Sequence, residues 1–294
     1  MRTTRLLSTA FAVVALLAAS ATAAAAATHP ARYRHYVALG DSYTAGPLIP
    51  LPRLDPLGCL RSTANYPAVL AARLHVGTYT DVSCSGADTS DMTHAQNVPL
   101  GVNPAQLSAL RPGTDLVTLG IGGNDSGVFG SLVGTCPSLR ASDPTGNPCQ
   151  QHFTTNGVDT VKAALATTQR NVQSVLAGIH ARSPHAKVLA VGYPRIAPES
   201  GYCPDILPFA DGDYAWLSSV EEALNAAISN AVAADGHSSY VDTFGPSSGH
   251  DACAPDGAAW INGKDTLPLA AAAYHPLARG MAGVATVIAR HLNR

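Results

Sequence analysis

Short apolar runs alternate with longer amphipathic segments along the chain from residue 35 to its end. The apolar runs predict buried β-strands at 35–39, 78–83, 115–120, 187–192 and 239–242. The amphipathic segments predict helices at 65–74, 104–110, 157–182, 213–235 and 276–292. Because strand and helix alternate, the pattern predicts an α/β fold with a parallel sheet, right-handed crossovers and helices on both faces.

The amino-terminal segment has a different pattern. Arg2 and Arg5 precede the apolar run 6–18, and a tract of small residues with several Ala-x-Ala sites follows. This order is typical of a secretory signal peptide, which we place at residues 1–27. A membrane anchor would need a longer apolar span with a defined far flank. We therefore expect a secreted, extracellular protein with no stable membrane anchor.

Residues 28–294 contain no repeat, heptad run or polar linker that would mark a boundary, so we predict one domain. Loss of the leader removes Arg2 and Arg5 and no acidic residue, which takes the net charge from −2 to about −4. Proteins that bind nucleic acids carry clustered basic residues. We therefore expect no nucleic-acid partner, and we expect a monomer.

All six cysteines follow the leader, and in an oxidising compartment they predict three disulfides. No Cys-x-x-Cys spacing is present, so we expect no zinc site. Six cysteines permit fifteen pairings, and spacing alone does not choose among them. Chain order suggests the pairs Cys59–Cys84, Cys136–Cys149 and Cys203–Cys253.

A serine follows the first predicted strand. The apolar run 36–39 stops at Gly40, and Asp41 and Ser42 come directly after it. Open parallel sheets bind ligands outside the carboxyl ends of their strands, so Ser42 lies where such a fold does chemistry. A Gly-Asp-Ser tripeptide by itself also fits an ordinary strand-to-helix turn, and segments further along the chain have to decide between the two.

Three later segments supply polar groups at comparable places. Gly86 lies in a small-residue turn after the second predicted strand, and Asn124 follows Gly122 and Gly123 after the third. His275 stands just before a proline and the last predicted helix. Taken singly, these residues also fit a turn glycine, an asparagine that caps its own turn and a structural histidine.

Together the four segments resemble, in order and spacing, the GDSL or SGNH hydrolase family of esterases and lipases. Ser42, Gly86, Asn124 and His275 match its four name-giving residues. The resemblance covers essentially the whole mature chain. The chain is similar to secreted actinomycete lipases and esterases, which have three disulfides. It implies a flavodoxin-like α/β/α fold, a five-stranded parallel sheet of order 2-1-3-4-5, and a reaction that needs no cofactor or metal.

The resemblance also implies roles. Ser42 attacks an ester carbonyl while His275 takes its proton, and an acyl-enzyme forms. The oxyanion hole consists of the backbone N–H groups of Ser42 and Gly86 and the side-chain amide of Asn124. The expected enzyme is a serine ester hydrolase. Its candidate activities are those of a lipase, an esterase or a phospholipase A, and its expected substrate is a lipid or small-molecule ester. The alternatives are a polysaccharide deacetylase and a secreted binding module without catalysis.

The sequence departs from the family at position 272. Many relatives have an aspartate three residues before the histidine, whereas this chain has Ala272. We therefore expect a Ser42–His275 dyad, with the backbone carbonyl of Ala272, or one near it, orienting the imidazole. The rival orienting groups are the loop carboxylates of Asp251, Asp256 and Asp265.

A second serine, Ser247, lies in a Gly-x-Ser-x-Gly motif at 245–249, which resembles the nucleophile elbow of another esterase fold. That elbow needs a helix directly after it, whereas 250–255 is predicted as a loop.

Long loops are expected at the catalytic edge, at 126–156, 194–212 and 245–273. Two apolar sets are candidates for an acyl groove, with ordinary packing as the alternative. They are Leu48, Ile49, Leu51, Leu54 and Leu57, and Phe129, Leu132 and Val133.

Overall fold

Five parallel strands form the central sheet of the computed structural model, which describes residues 32–255 and 257–293. The strands are β1 His35–Gly40, β2 Thr78–Asp81, β3 Leu116–Gly120, β4 Lys187–Val191 and β5 Ser239–Val241. Their order, β2-β1-β3-β4-β5, confirms the expected 2-1-3-4-5 arrangement. The predicted signal peptide, 1–27, lies outside the described residues.

Seven α-helices lie in the described part of the chain. They are α1 Ser42–Ala45, α2 Tyr66–Leu74, α3 Val128–Leu139, α4 Pro148–His152, α5 Thr160–Arg182, α6 Asp213–Asp235 and α7 Ala278–Leu292. Within 32–255 and 257–293, no helix combines the length and hydrophobicity needed to cross a membrane.

The side chains of β1 alternate between the two faces of the sheet. Tyr36 and Ala38 belong to one buried cluster, to which α2 and α7 contribute. Val37 and Leu39 belong to a second buried cluster, to which α5 and α6 contribute. The sheet is therefore covered on both faces, which is the three-layer α/β/α architecture.

The prediction that 126–156 is a loop was wrong, because α3 and α4 lie within it. Two glycines and Pro137 lower the helix propensity of α3, so the local pattern argues against a helix there. Burial compensates for this, since Cys136 is fully buried and bonded to Cys149 of α4. The predicted helix 104–110 was also wrong, because this segment contains a short 3₁₀ helix at Gln106–Ala109.

Three disulfides join the cysteines in chain order. They are Cys59–Cys84, Cys136–Cys149 and Cys203–Cys253, with sequence separations of 25, 13 and 50. A cross-link over loops of this length stabilises a fold by about 2–4 kcal/mol, mainly by restricting the unfolded chain. The first of them also anchors the turn that contains Gly86, because the N–H of Ser85 donates to the carbonyl of Cys59 at 3.0 Å.

Candidate active site

Ser42 lies at the carboxyl end of β1, where it begins the single turn of α1. The Asp41 carboxylate caps this turn by accepting the N–H of Tyr43 at 2.9 Å. A side chain at Gly40 would lie 2.6 Å from the carbonyl oxygen of Gly120, so only glycine fits there. The close approach of the two strand ends therefore places Ser42 directly beside the segment that follows β3.

His275 lies within hydrogen-bond distance of Ser42. The distance between its Nε2 atom and the Ser42 Oγ atom is 2.8 Å. On the other side of the ring, Nδ1 lies 2.6 Å from the carbonyl oxygen of Ala273. A carbonyl can only accept, so Nδ1 carries the proton of the neutral ring and Nε2 is free to accept the serine hydroxyl.

The carbonyl that faces the ring is that of Ala273, one residue after Ala272, the position named from the sequence together with its neighbours. The Ala272 carbonyl accepts hydrogen bonds inside the loop instead. Its donors are the side chain of Asn262 at 3.0 Å and the main-chain N–H of His275 at 3.3 Å. The carbonyl of Ala272 is thus directed into the loop, and the next carbonyl faces the ring.

The rival carboxylates do not contact the imidazole where they are described. Asp251 accepts the N–H of Cys253 at 2.9 Å. Asp265 is exposed and pairs with Lys264 at 3.3 Å. Asp256 lies outside the described residues. The histidine is therefore oriented by a neutral main-chain group rather than by Asp251 or Asp265.

The oxyanion candidates lie after three neighbouring strands, with Ser42 after β1, Gly86 after β2 and Asn124 after β3. Gly86 has a φ of 79°, a left-handed conformation that favours glycine. The backbone N–H groups of Ser42 and Gly86 have no hydrogen-bond partner within the described residues. The side chain of Asn124 donates one N–H to the carbonyl of Ala87 at 2.9 Å, which leaves its second N–H available. Three N–H donors are thus available at the carboxyl edge of the sheet.

An apolar cavity of about 80 Å³ opens beside Ser42 and Asn124. The predicted groove residues Phe129, Leu132 and Val133 line it. The sequence analysis missed a second wall, which comes largely from α6. Its residues include Leu217, Val220 and Leu224.

The other predicted groove set does not line this cavity. Ile49 is buried in the core cluster on the α2 and α7 face. Leu51 and Leu54 are 70% and 79% exposed. The cause lies in chain direction, because the segment after α1 leads away from the cavity while α3 and α6 face it.

Two carboxyl groups line the otherwise apolar cavity, that of Asp41 beside Ser42 and that of Glu221 on the α6 wall. Glu221 interrupts the apolar residues of α6. It accepts the backbone N–H groups of Ile196 and Ala197 at 3.2 and 3.1 Å. Burial raises the pKa of Glu221 to about 8, against the lowering effect of these hydrogen bonds and of the Arg195 charge. Asp251 raises the pKa further. The Glu221 carboxyl is therefore mostly protonated at neutral pH.

Ser247 has a structural role. It is fully buried, and its Oγ atom accepts the N–H of Arg195 at 2.8 Å and donates to the carbonyl of Phe244 at 2.9 Å. A 3₁₀ turn and a loop surround it instead of the long helix that a nucleophile elbow requires. The fit to Gly-x-Ser-x-Gly is therefore coincidental.

A serine hydroxyl bonded to an imidazole, with free N–H donors and an apolar cavity beside it, defines the class of serine ester hydrolases. Residues 38–282 match the model of the GDSL-like Lipase/Acylhydrolase family, and the chain belongs to this family. It is an enzyme that hydrolyses esters through a serine.

Known relatives agree with this assignment. The chain is 42% identical to Lipase 2 of Streptomyces coelicolor over 94% of its own length and 92% of the relative's. Among solved structures, phospholipase A1 from Streptomyces albidoflavus NA297 superposes with a TM-score of 0.73 at 30% identity, covering 88% of this chain and 99% of that one. The extracellular lipase of Streptomyces rimosus superposes with a TM-score of 0.65 at 28% identity, covering 87% and 99%.

Replacement of the rival carboxylates tests the neutral orientation of His275. An orienting aspartate in a triad is worth about 10⁴ in kcat. We expect Asp251→Asn and Asp265→Asn each to lower kcat less than about tenfold, because neither side chain touches the ring. Initial rates on a soluble ester measure this, with His275→Ala as the reference for loss of the base. A loss near 10⁴ in folded protein would identify that aspartate as the missing acid.

The Glu221 carboxyl predicts how stability changes with pH. Its folded pKa is about 8, above the ordinary value of 4.5. Between these values the folded state keeps a proton that the unfolded state has lost, so stability falls as pH rises through this window. Calorimetric Tm values at pH 5 and pH 8 should show a smaller decline in Glu221→Gln than in the wild type. The control is Glu222→Gln, which replaces an exposed neighbour, and its Tm should decline as much as that of the wild type.

Proposed function

We propose that the protein is a secreted lipase or esterase that cleaves acyl-chain esters through a Ser42–His275 dyad. In this proposal residues 1–27 are the signal peptide and residues 28–294 form a single hydrolase domain. The observation that carries it is the 2.8 Å contact between Ser42 Oγ and His275 Nε2 at the mouth of an apolar cavity.

Acylation begins when the Ser42 hydroxyl gives its proton to Nε2 of His275 and its oxygen attacks the ester carbonyl. The Nδ1–H of the imidazolium keeps its proton and its hydrogen bond to the carbonyl of Ala273, which stabilises the positive charge without a carboxylate. Nε2 returns the proton to the leaving alcohol, and an acyl-enzyme remains. Water repeats the sequence and releases the acid. No step requires a metal or cofactor.

The backbone N–H groups of Ser42 and Gly86 and the side-chain amide of Asn124 stabilise the negative charge of the tetrahedral intermediate by hydrogen bonds. Burial lowers the pKa of His275 below its ordinary value, while the bond to Ala273 opposes this. The lowered pKa keeps the imidazole unprotonated at neutral pH, which is the form that a general base needs.

The cavity supports an acyl chain as the acid part of the substrate. Its walls are almost entirely apolar, and a site built for acetylated sugars would present polar groups to the hydroxyls of the carbohydrate. Similarity to Lipase 2 of S. coelicolor and to phospholipase A1 of S. albidoflavus points toward glyceride or phospholipid esters. Retention of the serine and histidine in hydrogen-bond contact argues against a non-catalytic binding module.

Mutation of the site tests the assigned roles. Ser42→Ala should abolish turnover, because it removes the nucleophile. Asn124→Ala should lower kcat about 10²–10³-fold, because it removes one of three oxyanion donors. Ser247→Ala should retain kcat, since Ser247 is bonded into a loop away from the imidazole. Loss of turnover in Ser247→Ala together with an active Ser42→Ala would contradict the assignment.

The hydrolysis profile tests the substrate class. With nitrophenyl esters, kcat/KM should rise by up to about fourfold for each methylene that enters the cavity, and acetylated xylan should react poorly beside phospholipid and triglyceride. Val220→Phe fills the cavity and should reduce activity on the longer esters, while acetate hydrolysis by the same variant serves as the control. A preference for acetylated sugar would favour the deacetylase.

A further inference from the structure

The hydroxyl of Tyr193 lies between the two chain segments that precede the nucleophile and the oxyanion amide. Gly123, directly before Asn124, donates its N–H to this hydroxyl at 2.9 Å. Since an N–H can only donate, the hydroxyl accepts there and donates its own proton to the carboxylate of Asp41, directly before Ser42. One buried phenol therefore bridges the two segments.

The main chain of Tyr193 is itself held in place by hydrogen bonds to α6. It follows β4, and its main-chain N–H and carbonyl both bond to the side chain of Asn225 on α6, at 2.8 and 3.1 Å. A side chain at Gly123 would lie 3.1 Å from the hydroxyl oxygen, so the bridge is closely packed. The hydroxyl is therefore attached to the sheet and to α6, and the two active segments are attached to the hydroxyl.

The Asp41 carboxylate is well suited as the end of this chain of bonds. Its second oxygen accepts the N–H of Tyr43. Burial raises the pKa of Asp41 to about 7, and the hydrogen bonds from Tyr193 and Tyr43 oppose that increase. The carboxyl group thus connects the start of α1 to the bridge.

The hydrogen bonds between β1 and β3 end before Ser42 and Asn124, so strand pairing alone does not set the distance between these two residues. Pairing of β1 with β3 ends at Gly40 and Gly120, with one further bond from the N–H of Asp41 to the carbonyl of Gly120 at 2.9 Å. Beyond this point the segments turn away into separate helical turns. An oxyanion donor acts only within about 2.7–3.1 Å of the developing charge, and a displacement of about 1 Å costs up to 10²-fold in rate.

We propose that Tyr193 is a positioning residue whose hydroxyl sets the spacing between Ser42 and the Asn124 amide. This inference rests on the proposed function, since it assumes that Asn124 binds the oxyanion. It assigns Tyr193 no direct contact with the reacting atoms.

Tyr193→Phe isolates the hydroxyl, because phenylalanine keeps the ring that packs edge-on against Tyr43 with centroids 5.3 Å apart. We expect kcat to fall about 10- to 10²-fold, with KM within about twofold. Tyr36→Phe is the matched control. It removes another buried hydroxyl, bonded to Thr118 at 2.7 Å on the α2 and α7 face of the sheet, and should leave kcat within about twofold of the wild type.

A double-mutant cycle separates positioning from a general loss of structure. If Tyr193 acts through Asn124, Tyr193→Phe should cost less than about threefold in the Asn124→Ala background. Asp41→Asn, which leaves the hydroxyl but weakens its acceptor, should show the same pattern with a smaller loss, and it provides the second test if Tyr193→Phe folds poorly.

The outcomes that contradict the inference are distinct. Unchanged kcat in Tyr193→Phe, a change confined to KM, or losses that multiply fully with an impaired Asn124→Ala would overturn the positioning role alone. Wild-type kcat in Asn124→Ala would overturn the proposed oxyanion hole, and the positioning role with it.

Discussion

The parallel pairing of β1 with β3 is the contact on which the rest of the site depends. Both strands end in glycine, Gly40 opposite Gly120, and the chains approach so closely that a side chain at Gly40 would collide with the opposite carbonyl. Ser42 and Asn124, the proposed nucleophile and oxyanion amide, therefore follow adjacent strands at one edge of the sheet. The remaining parts of the site are added to this pair, including a histidine 233 residues further along the chain.

A dyad oriented by a carbonyl has a different electrostatic balance from a triad. A carboxylate beside the imidazole would stabilise the imidazolium more strongly, but its own charge would have to be buried and bonded. The carbonyl of Ala273 avoids that cost and still fixes the tautomer. In the proposed mechanism, burial lowers the pKa of the His275 base, and the fixed N–H donors around Ser42 supply most of the transition-state stabilisation.

Two carboxyl groups lie close to the site, the buried Asp41 and the half-buried Glu221. Asp41 and Glu221 both have raised pKa values, because burial opposes their ionisation. Each is held by hydrogen bonds to segments that adjoin the serine or the cavity. Such groups lower the stability of a fold at high pH, where they must ionise. They also accept hydrogen bonds from main-chain N–H groups that have no partner in a strand or helix. Local costs of this kind are common at functional sites.

The pattern of apolar and amphipathic segments predicted the layers, and the resemblance to the hydrolase family implied the strand order and pointed to Ser42, Gly86, Asn124 and His275 as site residues. The layers follow from local signals, because each strand is an apolar run. The four residues were recognised because each stands in a short motif, three of them after a strand and His275 before the last helix. Only the tertiary structure decided which carbonyl meets the imidazole, that α6 walls the cavity, and that Tyr193 bridges two segments. Every residue has a main-chain carbonyl, so the residue type does not show which carbonyl will contact the histidine. The direction of a carbonyl is set by distant partners such as Asn262, which binds Ala272 and leaves Ala273 to the histidine.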